Sequence, residues 1–327
     1  MPPTPEKLPA LAVMSAEHWP LLFPPDVRHR LDRLVHLDPA GPIEDFEVAQ
    51  LATAEVLITG WGCPIVDHRI LDRAPKLRVI LHAAGSVKGH LGREVWERGI
   101  MVSSAAAANA LPVAEFTLGA ILLAGKGAFD LRERYRRDRW FELGYIHPDV
   151  GNHGRTVGLI GASRIGRQVL GLLGQFGFRV QVYDPYADDL PSVDLPTLLS
   201  TSDIVSVHAP LTTETQHLLG AAELGLLRDG ATLINTARGP VIDPEALIAE
   251  LGTGRISAVL DVTEPEPLPA DSPLFTLPNA FVTPHVAGSH GNELARMGAC
   301  VTAELERFRN GEPLQFGITV SDLDRAA

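Results

Sequence analysis

At 327 residues the chain is about twice as long as an ordinary domain, so two domains are expected. Hydrophobic residues at 45% and charged residues at 21% supply sizeable cores, while 6% aromatics and 30 glycines favour closely packed α/β layers over a sandwich or barrel. The net charge of −12 argues against nucleic acid or an anionic membrane as a partner.

Cys63 and Cys300 are too few and too far apart to make a disulfide framework or a metal site; a reducing cytoplasm and no metal are the expectation. The opening, Met1–Pro9, is rich in proline, shows no signal-peptide pattern and is expected to fray. Asp26–Leu37 places Val27, Leu31, Leu34 and Val35 on one helical face. Glu55–Thr59 (EVLIT), Leu77–Leu81 (LRVIL) and Ile100–Ser103 read as short buried strands, with a helix over Asp67–Arg73 ending before Pro75. The longest uncharged stretch, Gly99–Ala114, is 16 residues and contains Pro112, too short and broken to span a bilayer.

From Asn109 to Trp140 the pattern becomes a long helix, with Ala114, Leu118, Ile121 and Leu122 on one face. Its basic run, Arg132–Arg139, is interleaved with acids and reads as a solvated face. A loop follows over Gly144–Gly154. A second βαβ series then begins, with a strand at Val157–Ile160, a helix at Ile165–Phe176 and a strand at Arg179–Tyr183. Further strands are expected at Ile204–Val207, Thr232–Ile234 and Ala258–Leu260.

The segment Val157–Gly166 (VGLIGASRIG) follows a strand and opens a helix, the context a dinucleotide fingerprint requires. Gly161 suits the tight turn and Gly166 close helix–strand packing, but Ser163 stands where the middle glycine is usual. Ser163 still offers a backbone N–H and a hydroxyl at a helix N-terminus, where anions are favoured. Alone, this broken pattern is compatible with a mere strand–helix turn. Asp184, 23 positions after Gly161 at the end of the next strand, strengthens it. A carboxylate there binds ribose hydroxyls and repels a 2′-phosphate, so NAD is expected over NADP.

Four stretches then appear in order: the fingerprint, Val207–Thr215 (VHAPLTTET), Ile234–Asp243 (INTARGPVID), and Leu260–Pro267 (LDVTEPEP) leading into Thr283–Gly288 (TPHVAG). With Asn109–Leu118 (NALPVAEFTL) they resemble the D-isomer-specific 2-hydroxyacid dehydrogenases over about residues 75–300. The resemblance implies a catalytic trio. Arg238 would grip a substrate carboxylate and polarise the neighbouring carbonyl. His285 would give a proton to, or take one from, the substrate oxygen. Glu266, five residues beyond Asp261, would orient that imidazole and hold it protonated for reduction, with Glu264 read as solvent-facing.

The same resemblance assigns cofactor contacts to Gly161, Ser163, Arg164, Ile165, Gly166, Asp184, His208, Thr215, Ala237 and Gly288, and sets Asp261 against the nicotinamide carboxamide. It gives the substrate carboxylate to the backbone of Ala84, Gly85 and Ser86, together with Arg238. Trp61 and Gly62 lie in a loop that either shapes the pocket or simply packs, and His290 replaces a more usual hydroxyl residue.

The implied fold is α/β with two Rossmann-like βαβ domains: an NAD-binding domain, 109–288, inserted into a flavodoxin-like substrate domain, 1–108 plus 289–327. The active cleft would lie between them and close for hydride transfer. A homodimer using the helical region after Asn109 is also implied. The expected reaction interconverts a small 2-oxo acid and its D-2-hydroxy acid, with glyoxylate, hydroxypyruvate and 3-phosphohydroxypyruvate among the possible substrates. The absence of a regulatory domain after Ala327 disfavours the long form of phosphoglycerate dehydrogenase. Two other readings stay open: an NAD-sensing corepressor, and a phosphite-type dehydrogenase on the same scaffold.

Overall fold

The computed structural model describes residues 6–47, 50–140 and 150–325. The chain divides into two compact units, one comprising the chain up to Asn109 and again from Ser289, the other Ala110–Gly288. Each is built on its own parallel sheet.

In the first unit the strands are β1 (Leu8–Val13), β2 (Val35–His36), β3 (Val56–Thr59), β4 (Val79–His82) and β5 (Met101–Ser104). Their spatial order is β2-β1-β3-β4-β5, the flavodoxin-like arrangement. Every residue of β3 and β4 is buried, as a parallel sheet covered on both faces demands. One face is covered by the helix Leu294–Arg309, whose Met297, Val301, Leu305 and Phe308 join Ala12, Ile58, Val79 and Leu81 in one core.

In the second unit the strands are β6 (Thr156–Ile160), β7 (Arg179–Tyr183), β8 (Ile204–Val207), β9 (Thr232–Asn235), β10 (Ser257–Leu260) and β11 (Ala280–Val282). They run β11-β10-β9-β8-β6-β7, all parallel. The chain leaves β6 for β7 on one side and returns to β8 on the other. This reversal is the topological switch point at which α/β sheets bind ligands. The helix Ala106–Gly125 is the one among the described residues long and apolar enough to cross a membrane. Its Ala114, Ala120 and Ile121 are nevertheless buried in the core of this unit with Val157, Leu159 and Val259.

The sequence expectation departs from the structure in three places. The helix expected over Asp26–Leu37 spans Pro25–Asp32, and Val35 belongs to β2. Its apolar spacing is shared by the end of a helix and a short strand. Of the opening expected to fray, Leu8 and Pro9 already belong to β1, which pairs with both β2 and β3, while residues 1–5 lie outside the described residues. Pro9 is tolerated because pairing with β3 begins at Ala10. The long helix breaks at Gly127, in a left-handed conformation with φ +63°, before Ala128–Asp138 resumes. Part of the expected Gly144–Gly154 loop, residues 144–149, lies outside the described residues.

Candidate functional site

The fingerprint turn follows β6. Gly161 has φ +98°, and a Cβ there would lie 2.6 Å from the Ala209 nitrogen, so only glycine fits. At Gly166 a Cβ would come 2.1 Å from the Gly161 carbonyl oxygen, which lets the helix Arg164–Leu173 rest against the strand. Ser163 is the N-cap of that helix, its hydroxyl accepting from the Gly166 N–H at 3.4 Å. Arg164 is exposed and Ile165 half-buried in the first turn. Asp184 ends β7 and ties the turn down: one carboxylate oxygen accepts the Ala162 N–H at 2.6 Å, the other the Tyr186 N–H at 2.8 Å.

His208 follows β8 and is buried, with Nε2 3.0 Å from the Ser206 hydroxyl and Nδ1 without a partner. Burial pushes its pKa down to about 4, so the ring is neutral at physiological pH. Thr215 closes the turn after it, donating to the Pro210 carbonyl at 2.5 Å and accepting the Thr212 N–H at 2.8 Å.

Arg238 follows β9, Glu266 follows β10 and His285 follows β11, all within one unit. Asn235 braces the turn at Arg238, accepting the Ala237 N–H at 3.0 Å and donating to the Arg238 carbonyl at 2.9 Å. The Arg238 side chain donates to the Ala237 carbonyl at 2.6 Å. Its partial burial lowers the guanidinium pKa, and the nearby Glu266 carboxylate opposes that fall. His285 Nδ1 lies 2.6 Å from Glu266 Oε1, both half exposed, with His285 held in a left-handed backbone conformation at φ +54°.

Asp261 is buried. Its carboxylate accepts the Thr283 hydroxyl at 2.6 Å, the Val286 N–H at 2.8 Å and the Ala287 N–H at 2.9 Å. These three bonds hold the loop that carries His285 and leave the carboxylate further acceptor capacity for the carboxamide that the resemblance sets against it. Gly288 is half-buried at the end of that loop. Glu264, read as solvent-facing, is instead hydrogen-bonded to His217 Nε2 at 2.9 Å.

The first unit holds the remaining expected residues. Ala84, Gly85 and Ser86 follow β4; the Ser86 hydroxyl accepts the Lys88 N–H at 3.2 Å, and Gly85 faces the Asn109 side chain. Among the described residues, no hydrogen bond occupies the N–H groups of Gly85 and Ser86. Trp61 is partly exposed and tilted against His18, their rings 5.4 Å apart, while Gly62 takes φ +84°. His290 starts a short turn, its N–H donating to Glu293 at 3.1 Å.

Sequence reasoning missed the buried pair beneath that loop. His82, the last residue of β4, meets the Thr59 hydroxyl at 2.8 Å and lies 4.9 Å, ring to ring, from His90. Burial, with a smaller contribution from His90, pushes the His82 pKa down to about 3. The only available signal was a polar residue closing an apolar strand.

A nucleotide turn at a switch point, beside an imidazole–carboxylate pair and an arginine, is the equipment of a nicotinamide-dependent oxidoreductase. Comparison with known proteins gives the family. Residues 118–287 match the family model for the D-isomer specific 2-hydroxyacid dehydrogenase, NAD binding domain. The chain is 33% identical over 290 residues to glyoxylate reductase of Korarchaeum cryptofilum, covering 84% of this chain and 86% of that one. It is 33% identical over 272 residues to D-3-phosphoglycerate dehydrogenase of Methanocaldococcus jannaschii, 80% of this chain but only 51% of the relative. The crystal structure of NAD-dependent formate dehydrogenase from Staphylococcus aureus, in complex with NAD, matches with a TM-score of 0.71 at 26% identity, over 94% of this chain and 97% of that one.

The chain therefore belongs to the D-isomer specific 2-hydroxyacid dehydrogenase family, and it is an NAD-dependent oxidoreductase of 2-oxo and D-2-hydroxy acids. The residues present fit the cofactor: Gly161 and Gly166 keep the strand–helix turn tight, with no room for a Cβ at either, and His208, packed against both, has a buried Nδ1 with no hydrogen-bond partner among the described residues.

Proposed function

We propose that Arg238, Glu266 and His285 carry the reaction, and that the substrates are short 2-oxo acids of the glyoxylate and hydroxypyruvate kind, with 3-phosphohydroxypyruvate the alternative. The observation that carries this reading is the 2.6 Å His285–Glu266 pair at the strand ends of the nucleotide-binding unit. With Nδ1 directed to the carboxylate, His285 keeps Nε2 for the substrate oxygen, to which it gives a proton on reduction and from which it takes one on oxidation. Glu266 fixes the ring's tautomer and orientation. Arg238 presents a planar fork to the substrate carboxylate and draws electron density from the adjacent carbonyl. NAD supplies or receives the hydride at the carbonyl carbon.

Gly161, Ser163, Arg164, Ile165 and Gly166 would seat the pyrophosphate at the helix N-terminus, and Asp184 the adenosine ribose. The Asp184 carboxylate supports NAD over NADP, because a 2′-phosphate would meet like charge. His208, Thr215, Ala237 and Gly288 would line the remaining nucleotide surface. Asp261 contributes by holding the His285 loop. Ala84, Gly85 and Ser86 are assigned the substrate carboxylate, on their small side chains and the two unoccupied N–H groups.

A cytoplasmic homodimer completes the proposal, supported by Leu111 and Leu123, exposed on the otherwise core-forming helix Ala106–Gly125. Leu123→Asp is expected to shift molar mass by light scattering from dimer to monomer; an unchanged mass removes this helix from the interface.

The deciding experiment follows NADH absorbance across a panel of 2-oxo acids, with NADPH and His285→Ala as controls. Turnover with NADH that His285→Ala abolishes supports the reading. An active His285→Ala protein overturns the assignment of the acid–base group, and equal use of NADPH overturns the role given to Asp184.

A further inference from the structure

His217 stands just past the Thr215 turn, in a left-handed backbone conformation with φ +51°. A non-glycine residue held there is uncommon and is worth a functional question. Its backbone is fastened to the segment that follows Arg238: the His217 N–H donates to the Pro240 carbonyl at 2.8 Å, and the Leu219 N–H to Val241 at 3.1 Å. The Asp243 N–H returns to the Leu219 carbonyl at 3.1 Å. Its side chain is fastened elsewhere, with Nε2 2.9 Å from Glu264 and Nδ1 3.8 Å from Asp243. Glu264 is two residues before Glu266, on the loop that meets His285.

The same two segments touch directly. A Cβ on Gly239 would lie 1.9 Å from the Thr263 carbonyl oxygen, so the turn after Arg238 and the loop before Glu266 are in backbone contact. The contact alone does not decide which carboxylate of that loop faces the imidazole. Glu264 and Glu266 have the same chemistry, and their separation along the chain is a matter of one dipeptide.

We propose that His217 and Glu264 are positioning residues: His217 occupies Glu264, cross-ties its loop to the Arg238 turn, and thereby leaves Glu266 as the sole partner of His285. Neither residue touches the reacting atoms. His217 lies between two carboxylates, hydrogen-bonded to Glu264 through Nε2 and 3.8 Å from Asp243 through Nδ1. Without it, Glu264 loses this hydrogen bond, and the loop can present either glutamate to His285. This inference rests on the catalytic assignment of Arg238, Glu266 and His285 proposed above.

The test uses the full chain with glyoxylate and NADH, together with 15N-histidine NMR of the same proteins; the His285 signals are identified by their loss in His285→Ala. His217→Ala and Glu264→Ala are each expected to lower kcat about 10- to 100-fold with KM for glyoxylate little changed, as misplacement of a reacting group does. Both are expected to move the His285 Nδ1 resonance. Glu264→Gln keeps an acceptor for His217 and is expected to restore most of kcat and the wild-type resonance. The double variant is expected to be no worse than either single one, the signature of one coupled unit.

Wild-type kcat and an unmoved resonance in His217→Ala overturn the proposal, whatever happens to thermal stability. Additive losses in the double variant overturn the coupling. An inactive His285→Ala with a normal His217→Ala removes this inference alone, whereas an active His285→Ala removes the catalytic assignment beneath it. The resonance decides the question even if glyoxylate turns over slowly.

Discussion

The two parallel sheets present loops at their strand ends with different materials. In the second unit the loops hang on polar side chains that accept or donate several hydrogen bonds: Asp261 receives three donors, Asn235 braces both sides of the Arg238 turn, and Asp184 bridges two turns. In the first unit the loop Ala84–Ser86 rises from a strand ending in His82, which is buried and neutral beside Thr59 and His90. The first unit has a well-satisfied buried carboxylate elsewhere: Glu304 accepts from Ser103 at 2.8 Å, from the Gln315 N–H at 3.1 Å and from the Phe316 N–H at 3.0 Å. A charged brace fixes a loop against rotation and keeps it solvent-tolerant; a buried neutral one excludes water but fails when it must ionise.

The largest expected effect lies on the charged side of this contrast. His285→Ala is expected to reduce kcat by about 10²- to 10⁴-fold in steady-state assays, the usual range for a general acid–base group. A loss under tenfold breaks the claim that the second unit carries the chemistry. Gly161→Ala comes next. Strain at φ +98° together with a backbone atom 2.6 Å from the new Cβ is expected to cost at least about 1–3 kcal/mol in denaturant unfolding and to abolish NADH binding measured by fluorescence. Normal binding would show that the turn relaxes.

Acid sharpens the contrast. The unfolded chain protonates His82 near its ordinary value of 6.5, but the folded protein resists until about pH 3. The stabilisation is therefore complete above about pH 6.5 and is lost as pH falls toward 3, at about 1.4 kcal/mol per pH unit for one fully linked histidine. His90, lowered in the same direction by burial, adds to this in the first unit. His208 acts likewise in the second, over the span from 6.5 to about 4. Trp19, Trp61 and Trp96 all lie in the first unit, so tryptophan fluorescence in urea at pH 7, 6 and 5 reads mainly that side. His82→Gln is expected to flatten the slope, and an unchanged slope assigns the acid lability elsewhere. The smallest expected effect is Ser103→Ala, which removes one of three donors from buried Glu304 and is expected to cost about 1–3 kcal/mol by the same urea titration.

This contrast also explains what the sequence could reveal. Five of the second unit's six strands were legible to within a residue or two, β11 being the one missed, and Asp184 was placed by its spacing from Gly161, whose backbone demand is local; Arg238, Glu266 and His285 were read from the resemblance of whole motifs. Gly161 and Gly166 announce a turn because only glycine survives there. The role of His217 was not legible, because its partner Glu264 is 47 residues away and the contact depends on how two loops meet. Glu304, bonded to Ser103 across 201 residues, was hidden for the same reason. β1 was lost in a stretch whose prolines argue for disorder, though its pairing tolerates Pro9. Val35 was misassigned because helix periodicity and a two-residue strand share the same apolar spacing.

The interrupted connectivity of the first unit has a consequence during synthesis. Its sheet is complete once β5 emerges, but Met297, Val301, Leu305 and Phe308, which cover one face, are made only after the whole inserted unit. The inserted unit is contiguous and can fold on the ribosome while that face still lies bare. When Ser289 finally arrives, its N–H finds Asn109 Oδ1 at 2.7 Å, a bond spanning 180 residues that joins the point where the chain left the first unit to the point where it returns. Until then the nascent protein carries an open apolar flank, and chaperones that recognise such surfaces would meet it while the inserted unit is being made.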